Sequence, residues 1–351
     1  MAKKIQSEFP LPLERLYAQV GISYWLGAAV TSVILAGPGF VVFLTGEASA
    51  WASNSLITVL RPFSNLVWIF SFLMLHKELR DRSVNTCEVL MKIGCLENST
   101  GKSCLKAIFS SNRELVGLLA GIFYTVFFVL NHFVLGSTPY ISFQYAIYVT
   151  VGTLVWWSLF GVLVVHIAGC VWLIHRIGST TPVRTYSFAH NLGSLGRLAL
   201  FATLSWILPL SVLIPIMIPE AGPLNLVIPA LLTLAAVALV IFFASLFPLH
   251  RALVKFRDAK LDENLAEFDR LNSLYFSSLK EPAKDKAELS SIGDQLSVLV
   301  QLQARVLNRF ESWPLNFSTF YQIILVSLLP LLSSLFLKLA IEYLMKLPLS
   351  L

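Results

Sequence analysis

The residues of this chain that could do chemistry are polar side chains set inside long apolar runs. Arg61 lies within one of these runs. In the last run, four polar residues fall within about 80° of one another around a helix of 3.6 residues per turn, so they form a polar stripe on one face. That stripe comprises Ser327, Ser334, Lys338 and Glu342. A charge inside a membrane is costly and commonly marks an ion or substrate path. The spacing therefore predicts a polar path, with surface anchoring and bonding of the serines to their own helix as the alternative.

Two further groups of polar residues flank the apolar runs. Asn131 and His132 lie near one end of the third run, where they would face an outer vestibule. The stretch from Leu115 to Pro219 has no Asp or Glu, yet it holds a basic group between the fourth and fifth runs. Basic residues beside a bilayer attract anionic headgroups, so this group predicts a lipid anchor or an anion site. Its members are Arg176, Arg184, His190 and Arg197.

Motifs of enzymes and metal sites do not occur in the chain. The four cysteines form no Cys-x-x-Cys pair, and the six histidines show no ligand-like pairing on one helix, so we expect most histidines at the membrane interface. There is no nucleophile elbow, phosphate-binding loop or dinucleotide fingerprint. The sequence predicts no catalytic residue, no cofactor and no metal.

The composition identifies the elements that must hold these residues. The chain is 56% hydrophobic and 13% charged, whereas soluble domains average about 25% charged residues. Seven apolar runs are long enough to cross a bilayer, which takes roughly 20 helical residues. These runs are Ile22–Thr45, Trp51–Leu75, Leu115–Leu135, Ile141–Leu173, Leu198–Ile218, Asn225–Phe247 and Phe317–Leu344. The sequence predicts an all-α integral membrane protein with seven transmembrane helices, the first broken at Gly37-Pro38-Gly39 and the second at Arg61-Pro62.

The basic residues predict the orientation. With the N-terminus in the cytoplasm, the segments Met1–Gln19, His76–Glu114, Ile174–Arg197 and Leu249–Asn316 lie inside and hold 23 of the 26 Lys and Arg residues. Positive charge is enriched in cytoplasmic loops. The prediction is a cytoplasmic N-terminus and an outer C-terminus, in a plasma membrane or a bacterial inner membrane. The basic residues form no single stripe, so nucleic acid is not an expected partner.

The segment between spans six and seven has ten basic and ten acidic residues and two apolar stripes. The apolar pattern is interrupted at Pro282, so the segment predicts a cytoplasmic helical hairpin whose first arm continues span six. The organisation is then residues 1–248 with spans one to six, 249–316 with the hairpin, and 317–351 with span seven. The arms pack on each other within one chain, or they pack between subunits. Candidate oligomer contacts are Leu265, Phe268, Leu296 and Leu299.

The predicted layout resembles the inverted seven-helix cation-channel superfamily of insect odorant and gustatory receptors. Shared features are the cytoplasmic N-terminus, a long fourth span, and cytoplasmic helices that lead into a final polar-striped span. The gustatory branch carries Thr-Tyr, five apolar residues and Gln-Phe in its last helix. This chain has TFYQIILVSLLP from Thr319, with Phe320 for Tyr and Val326 for Gln. The resemblance implies a homo-oligomeric ion channel, four subunits joined by cytoplasmic helices, and a pore lined by the last helix. A small-solute secondary transporter and a membrane-anchored scaffold are the alternatives.

Overall fold

The computed structural model describes seven segments of the chain and five single residues near its end. The segments are residues 10–44, 55–94, 96–130, 143–180, 192–217, 224–279 and 286–304, and the single residues are Tyr321, Gln322, Leu325, Leu328 and Leu332. Within these residues the regular structure is helical and no strand occurs, so the predicted all-α class is confirmed.

The described helices follow the chain in this order: α1 (Pro12–Val20), α2 (Tyr24–Leu44), α3 (Ser55–Lys92), α4 (Asn98–Ile108), α5 (Ser111–Val129), α6 (Phe143–Thr180), α7 (Gly193–Met217), α8 (Leu224–Leu279) and α9 (Lys286–Leu302).

Six of the seven apolar runs coincide with a long helix, and these helices are α2, α3, α5, α6, α7 and α8. The predicted breaks were wrong. Helix α2 continues through Gly37-Pro38-Gly39, and α3 continues through Arg61-Pro62. Neighbouring helices and local adjustments can satisfy the backbone groups that proline frees inside a bundle. All but five residues of the seventh run, Phe317–Leu344, lie outside the described residues.

By length and composition, two stretches among the described residues are able to cross a membrane. They are Thr150–Thr180 in α6 and Ala235–Leu279 in α8. Helix α1 and the part of α2 from Tyr24 to Gly37 make a third if that bent pair is counted as one span. The larger number of seven crossings stays a prediction.

A short helix that the sequence analysis missed precedes the first run. Helix α1 begins with a proline in its first turn and ends at Gly21, whose left-handed conformation (φ +76°) suits glycine. It meets α2 at 103°. Tyr17 is buried against α2, whereas Leu16 and Val20 are exposed. An amphipathic helix nearly perpendicular to an apolar one is the usual geometry of a helix lying in a membrane surface.

Helix α6 is the centre of the described bundle. It packs against α2, α3, α4, α5, α7 and α8. The main core joins Phe72 and Leu79 of α3 to Leu163 and Leu173 of α6 and Phe242 of α8, and each of these side chains is buried. Helix α6 therefore contacts all six of these helices, while α3 packs in addition against α2, α4 and α7.

The contact between α5 and α6 is the most extensive, and glycines make it possible. Gly117 and Gly121 are four residues apart on α5, facing Gly161 of α6. A Cβ atom on Gly117 would lie 2.8 Å from the carbonyl oxygen of Gly161, and one on Gly121 would lie still closer to the carbonyl oxygen of Trp157. The two backbones thus touch directly, as in the Gly-x-x-x-Gly pairs of membrane helices.

Helix α8 has 56 residues and spans roughly 84 Å at 1.5 Å per residue. It joins the sixth run to the first predicted arm without a break, although Pro229 and Pro248 lie inside it. The second arm, α9, packs back on α8, where the Asn264 side-chain amide donates a hydrogen bond to the carbonyl oxygen of Leu299 at 3.4 Å. The two arms therefore contact each other within one chain.

Candidate functional site: a buried polar layer

The polar side chains that the bundle buries gather where α3 leaves the predicted second span. Below the aromatic layer of Trp68 and Phe72, α3 turns from apolar to polar while remaining in the core. Polar groups buried in a protein need partners, since each one left without a hydrogen bond costs on the order of 1–3 kcal/mol. The buried polar residues of this stretch are His76, Arg80, Ser83, Thr86 and Glu88.

Arg80 forms the centre of an ion cluster that ties α1 to α3. Its side chain is 2% exposed, and its two terminal nitrogens donate to the carboxylate of Glu14. Its Nε atom donates to Oδ1 of Asp81 at 2.9 Å, and Lys77 donates to the other oxygen of Asp81 at 2.6 Å. Burial alone would lower the pKa of Arg80, but the hydrogen bonds to Glu14 and Asp81 raise it above its ordinary value. The guanidinium is therefore charged and paired.

A second cluster joins three helices through two histidines and a glutamate. His76 of α3 and His166 of α6 are 5% and 1% exposed, and their Nδ1 atoms lie 3.1 Å apart. Nε2 of His76 lies 3.1 Å from the carbonyl oxygen of Leu159. Nε2 of His166 lies 3.6 Å from Oε1 of Glu114, in the first turn of α5, and has no hydrogen-bond partner. Nε2 of His166 is thus a buried ring nitrogen that faces a carboxylate without a hydrogen bond.

The sequence analysis did not predict that these two histidines meet in the core. Sequence spacing reports pairs within one helix, whereas His76 and His166 are 90 residues apart and lie on different helices. Glu14 and Arg80, which are 66 residues apart, left no periodic signal either. The one available signal was the depth of His166 within the fourth run, because a polar ring within an apolar helix needs a partner.

Arg176, predicted to contact lipid or anions, packs on an aromatic ring. Its guanidinium lies 5.0 Å from the centre of the Trp172 ring, and that of Arg113 lies 5.7 Å from the same ring. Arg197 of α7 is exposed. Arg184 and His190 lie outside the described residues. Cation–π contacts of this kind leave the charged edge available to water or headgroups, so the hypothesis of an anionic contact at Arg176 stays open.

An open groove of about 1080 Å³ lies beside the end of α6 and along α8, close to this basic region. Its lining combines cationic and acidic groups, so it is not a uniform anion site. The charged and titratable residues that line it are His175, His250, Arg251, Lys255, Asp258 and Asp262.

The predicted polar path falls mostly outside the described residues. This applies to Ser327, Ser334, Lys338 and Glu342, and also to the predicted vestibule residues Asn131 and His132. Arg61 lies within α3, where only its helical backbone is described. The grouping of these residues therefore stays a prediction.

The candidate oligomer contacts lie on α8 and α9. Leu265 is 46% exposed. Phe268, Leu296 and Leu299 are half-buried, and Leu299 accepts the hydrogen bond from Asn264 that joins the two arms. Leu299 thus lies at the contact between the two arms, whereas Leu265 is exposed.

Chemically, the buried polar layer offers paired charges and a buried contact between titratable side chains. In the part of the chain that the structure describes, no group of His, Cys, Asp and Glu side chains is arranged to hold a metal ion. Comparisons of the chain with protein-family models, with curated proteins and with solved structures gave no match.

Proposed function

We propose that the protein is a subunit of an oligomeric ion channel that crosses a cell membrane seven times, with its N-terminus in the cytoplasm and its C-terminus outside. The observation that carries this proposal is a set of three exposed apolar side chains, Leu265, Phe276 and Leu279, on one face of the charged half of α8. Large apolar patches that face water mark contacts with other proteins. The resemblance of the layout to inverted seven-helix channels supports ion conduction as the activity of the assembly.

The outward faces of α2 and α5 support the membrane placement. Val33 and Ile34 on α2, and Phe123, Val126 and Phe127 on α5, are each more than half exposed. Such faces are stable against lipid tails, whereas in water they would drive aggregation. Helix α1, at 103° to α2, fits the membrane surface beside them.

The orientation makes a direct prediction about reagent access. In a variant with its native cysteines replaced by alanine, single cysteines in Gly46–Ala50 or Gly136–Tyr140 should react with an impermeant thiol reagent on intact cells. A cysteine at Pro282 should react only after permeabilisation, which is its control. Labelling at Pro282 in intact cells would reverse the proposed orientation.

The stripe on α8 lies on a different face from the contact with α9. Leu265, Phe276 and Leu279 lie within about 60° of one another around the helix at 3.6 residues per turn, and they are 46%, 56% and 54% exposed. Asn264, whose amide reaches α9, lies about 100° from Leu265 by the same count. After α9 has packed, the stripe remains open. A second copy of the chain is the occupant that the proposal assigns to it.

A paired substitution tests whether this stripe holds subunits together. Leu265→Lys with Phe276→Lys should convert the native oligomer to single subunits and abolish ion flux in liposomes, because two ammonium groups would be buried in the contact. Mass photometry of the detergent-solubilised protein and a flux assay measure the two effects. Leu274→Lys is the matched control, since Leu274 is an exposed leucine on the opposite side of α8.

Three outcomes separate the candidate functions. Native oligomers that conduct ions support a channel. A native monomer that takes up solute in a saturable manner would identify a carrier. A native monomer with no flux of any kind would remove the channel proposal and favour a scaffold whose α8 stripe binds another protein.

A further inference from the structure

The cluster of His76, His166 and Glu114 has a hydrogen-bonding pattern that can be followed atom by atom. A carbonyl oxygen only accepts hydrogen bonds, so Nε2 of His76, 3.1 Å from the oxygen of Leu159, carries a hydrogen. His76 begins the predicted cytoplasmic segment. Burial lowers the pKa of His76 far below its ordinary value, and the adjacent His166 has the same effect to a smaller degree. The ring of His76 is therefore neutral. The Nδ1 atom of His76 is then a bare acceptor.

This assignment determines one nitrogen of the second ring. Nδ1 of His166 lies 3.1 Å from the bare Nδ1 of His76, so it must carry a hydrogen and donate it. If His166 were neutral, its Nε2 atom would be a bare acceptor. That atom lies 3.6 Å from a carboxylate oxygen of Glu114, which is also an acceptor. Two lone pairs would then face each other in a buried site.

We propose that the cluster is a proton-binding site, in which one added proton on Nε2 of His166 pairs that ring with the carboxylate of Glu114. The proton converts two opposed acceptors into a donor and an acceptor. It also converts a neutral ring beside a carboxylate into an ion pair of zero net charge. Glu114 lies in the first turn of α5, where the helix dipole favours a carboxylate.

The other charged groups near the cluster are held by partners of their own. Arg113, next to Glu114, packs on the Trp172 ring, while Lys77 and Arg80 of α3 bind Asp81 and Glu14. From the α4 side, Phe109 covers the His166 ring with 5.1 Å between ring centres. Cys170, one turn along α6, contacts Ser83 at 3.1 Å. Other described titratable groups lie on the neighbouring helices. They include Tyr24 on α2, whose hydroxyl donates to the oxygen of Leu73, Glu78, Arg82 and Glu88 on α3, Lys102, Cys104 and Lys106 on α4, Tyr124 on α5, Arg197 on α7, and His250 and Arg251 on α8.

The consequence is a link between pH and the packing of α5. His166 is on the central helix, and Glu114 is at the start of the helix that packs on it through glycines. With the proton present, the ion pair holds the first turn of α5 to α6. Without it, the lone pairs repel and that turn is loosened. Proton uptake thus acts on a contact between helices and does not depend on which solute or ion the protein handles.

Nitrogen NMR of the full-length protein, labelled with ¹⁵N-histidine, tests the site directly. The His166 signals are assigned by their loss in His166→Gln. In native protein, Nε2 of His166 should take up a hydrogen as the pH is lowered, while Nδ1 of His166 keeps its hydrogen throughout. In Glu114→Gln, the amide can donate to a neutral ring, and the proton affinity of His166 should fall about tenfold or more, as expected on loss of an opposite charge within 4–6 Å. Glu97→Gln, which removes an exposed carboxylate from the start of α4, should leave His166 unchanged.

Two results would overturn the proposal, and neither depends on ion conduction. One is an Nε2 atom of His166 that stays bare at every pH at which the native protein remains folded, which requires no variant to fold. The other is equal proton affinity of His166 in the native protein and in Glu114→Gln. A thermal measurement adds a structural readout. The difference in midpoint temperature between the native protein and Glu114→Gln should change with pH as His166 titrates, whereas the difference for Glu97→Gln should not.

Discussion

Replacing Gly121 by alanine is expected to destabilise the protein by about 2 kcal/mol or more, within or above the usual cost of overpacking a core. The added Cβ would meet the backbone of Trp157 and Ser158 on α6. A side chain can rotate away from such a clash, but a helix backbone cannot, so α5 must separate from α6. Gly121→Leu should prevent a stable bundle altogether. The midpoint of thermal unfolding in detergent and the monodisperse fraction on size-exclusion chromatography measure both effects.

Gly152→Ala on α6 is the matched control. The nearest atom to a Cβ built there is the side-chain nitrogen of Asn65, at 4.0 Å. With that space available, alanine should be neutral or stabilise the helix by up to about 1 kcal/mol. Gly121→Ala should therefore lower the midpoint of thermal unfolding, whereas Gly152→Ala should raise it or leave it unchanged. A native-like midpoint for Gly121→Ala would show that α5 and α6 do not pack backbone to backbone.

Arg80→Met is the second substitution with a large expected effect. It removes the partner of Glu14 and one partner of Asp81 while keeping most of the length of the side chain. Breaking a buried ion pair from one side typically costs about 3–5 kcal/mol, and about 3 kcal/mol is expected here because Glu14 and Asp81 retain some contact with water. Helix α1 should also loosen from α3, which limited trypsin cleavage after Arg15 would detect.

The control for Arg80 is on α1 itself. Arg15 is exposed, so Arg15→Met should change the unfolding midpoint little. Adding Glu14→Leu to Arg80→Met should restore part of the lost stability, since it removes the carboxylate left without its partner. If the double variant is as unstable as the sum of the single ones, the pair of Glu14 and Arg80 does not couple α1 to α3.

The sequence predicted most of the long helices because apolar runs of about 20 residues report helix positions without any knowledge of packing. It missed α1, although Leu13, Leu16, Tyr17 and Val20 have the spacing of an amphipathic stripe. That helix is only nine residues long, far shorter than a membrane-length run. Its direction depends on Gly21, whose left-handed conformation is a property of the folded backbone.

The buried polar layer was harder to predict for a different reason. Its contacts join residues on separate helices, and no periodic pattern records which faces of two helices will meet. The sequence shows Gly117 and Gly121 four residues apart, but the close packing of α5 on α6 at these glycines also requires Gly161 to lie opposite them. The contact between His76 and His166 likewise exists only because α3 and α6 cross at that level. Such contacts follow from the tertiary arrangement and could not be read from one segment.

The unbroken length of α8 has a mechanical consequence. The segment beyond Pro248 continues as one helix from the predicted membrane surface. A change of tilt at Pro248 would therefore move the far end of this segment. From Pro248 to Leu279 the arm is roughly 46 Å long, so a rotation of about 10° at the proline would carry its tip through roughly 8 Å. The exposed stripe of Leu265, Phe276 and Leu279 lies on this arm. A change of about 10° at Pro248 would thereby displace the tip of the arm by about the spacing between neighbouring helices, at the surface proposed to join one subunit to the next.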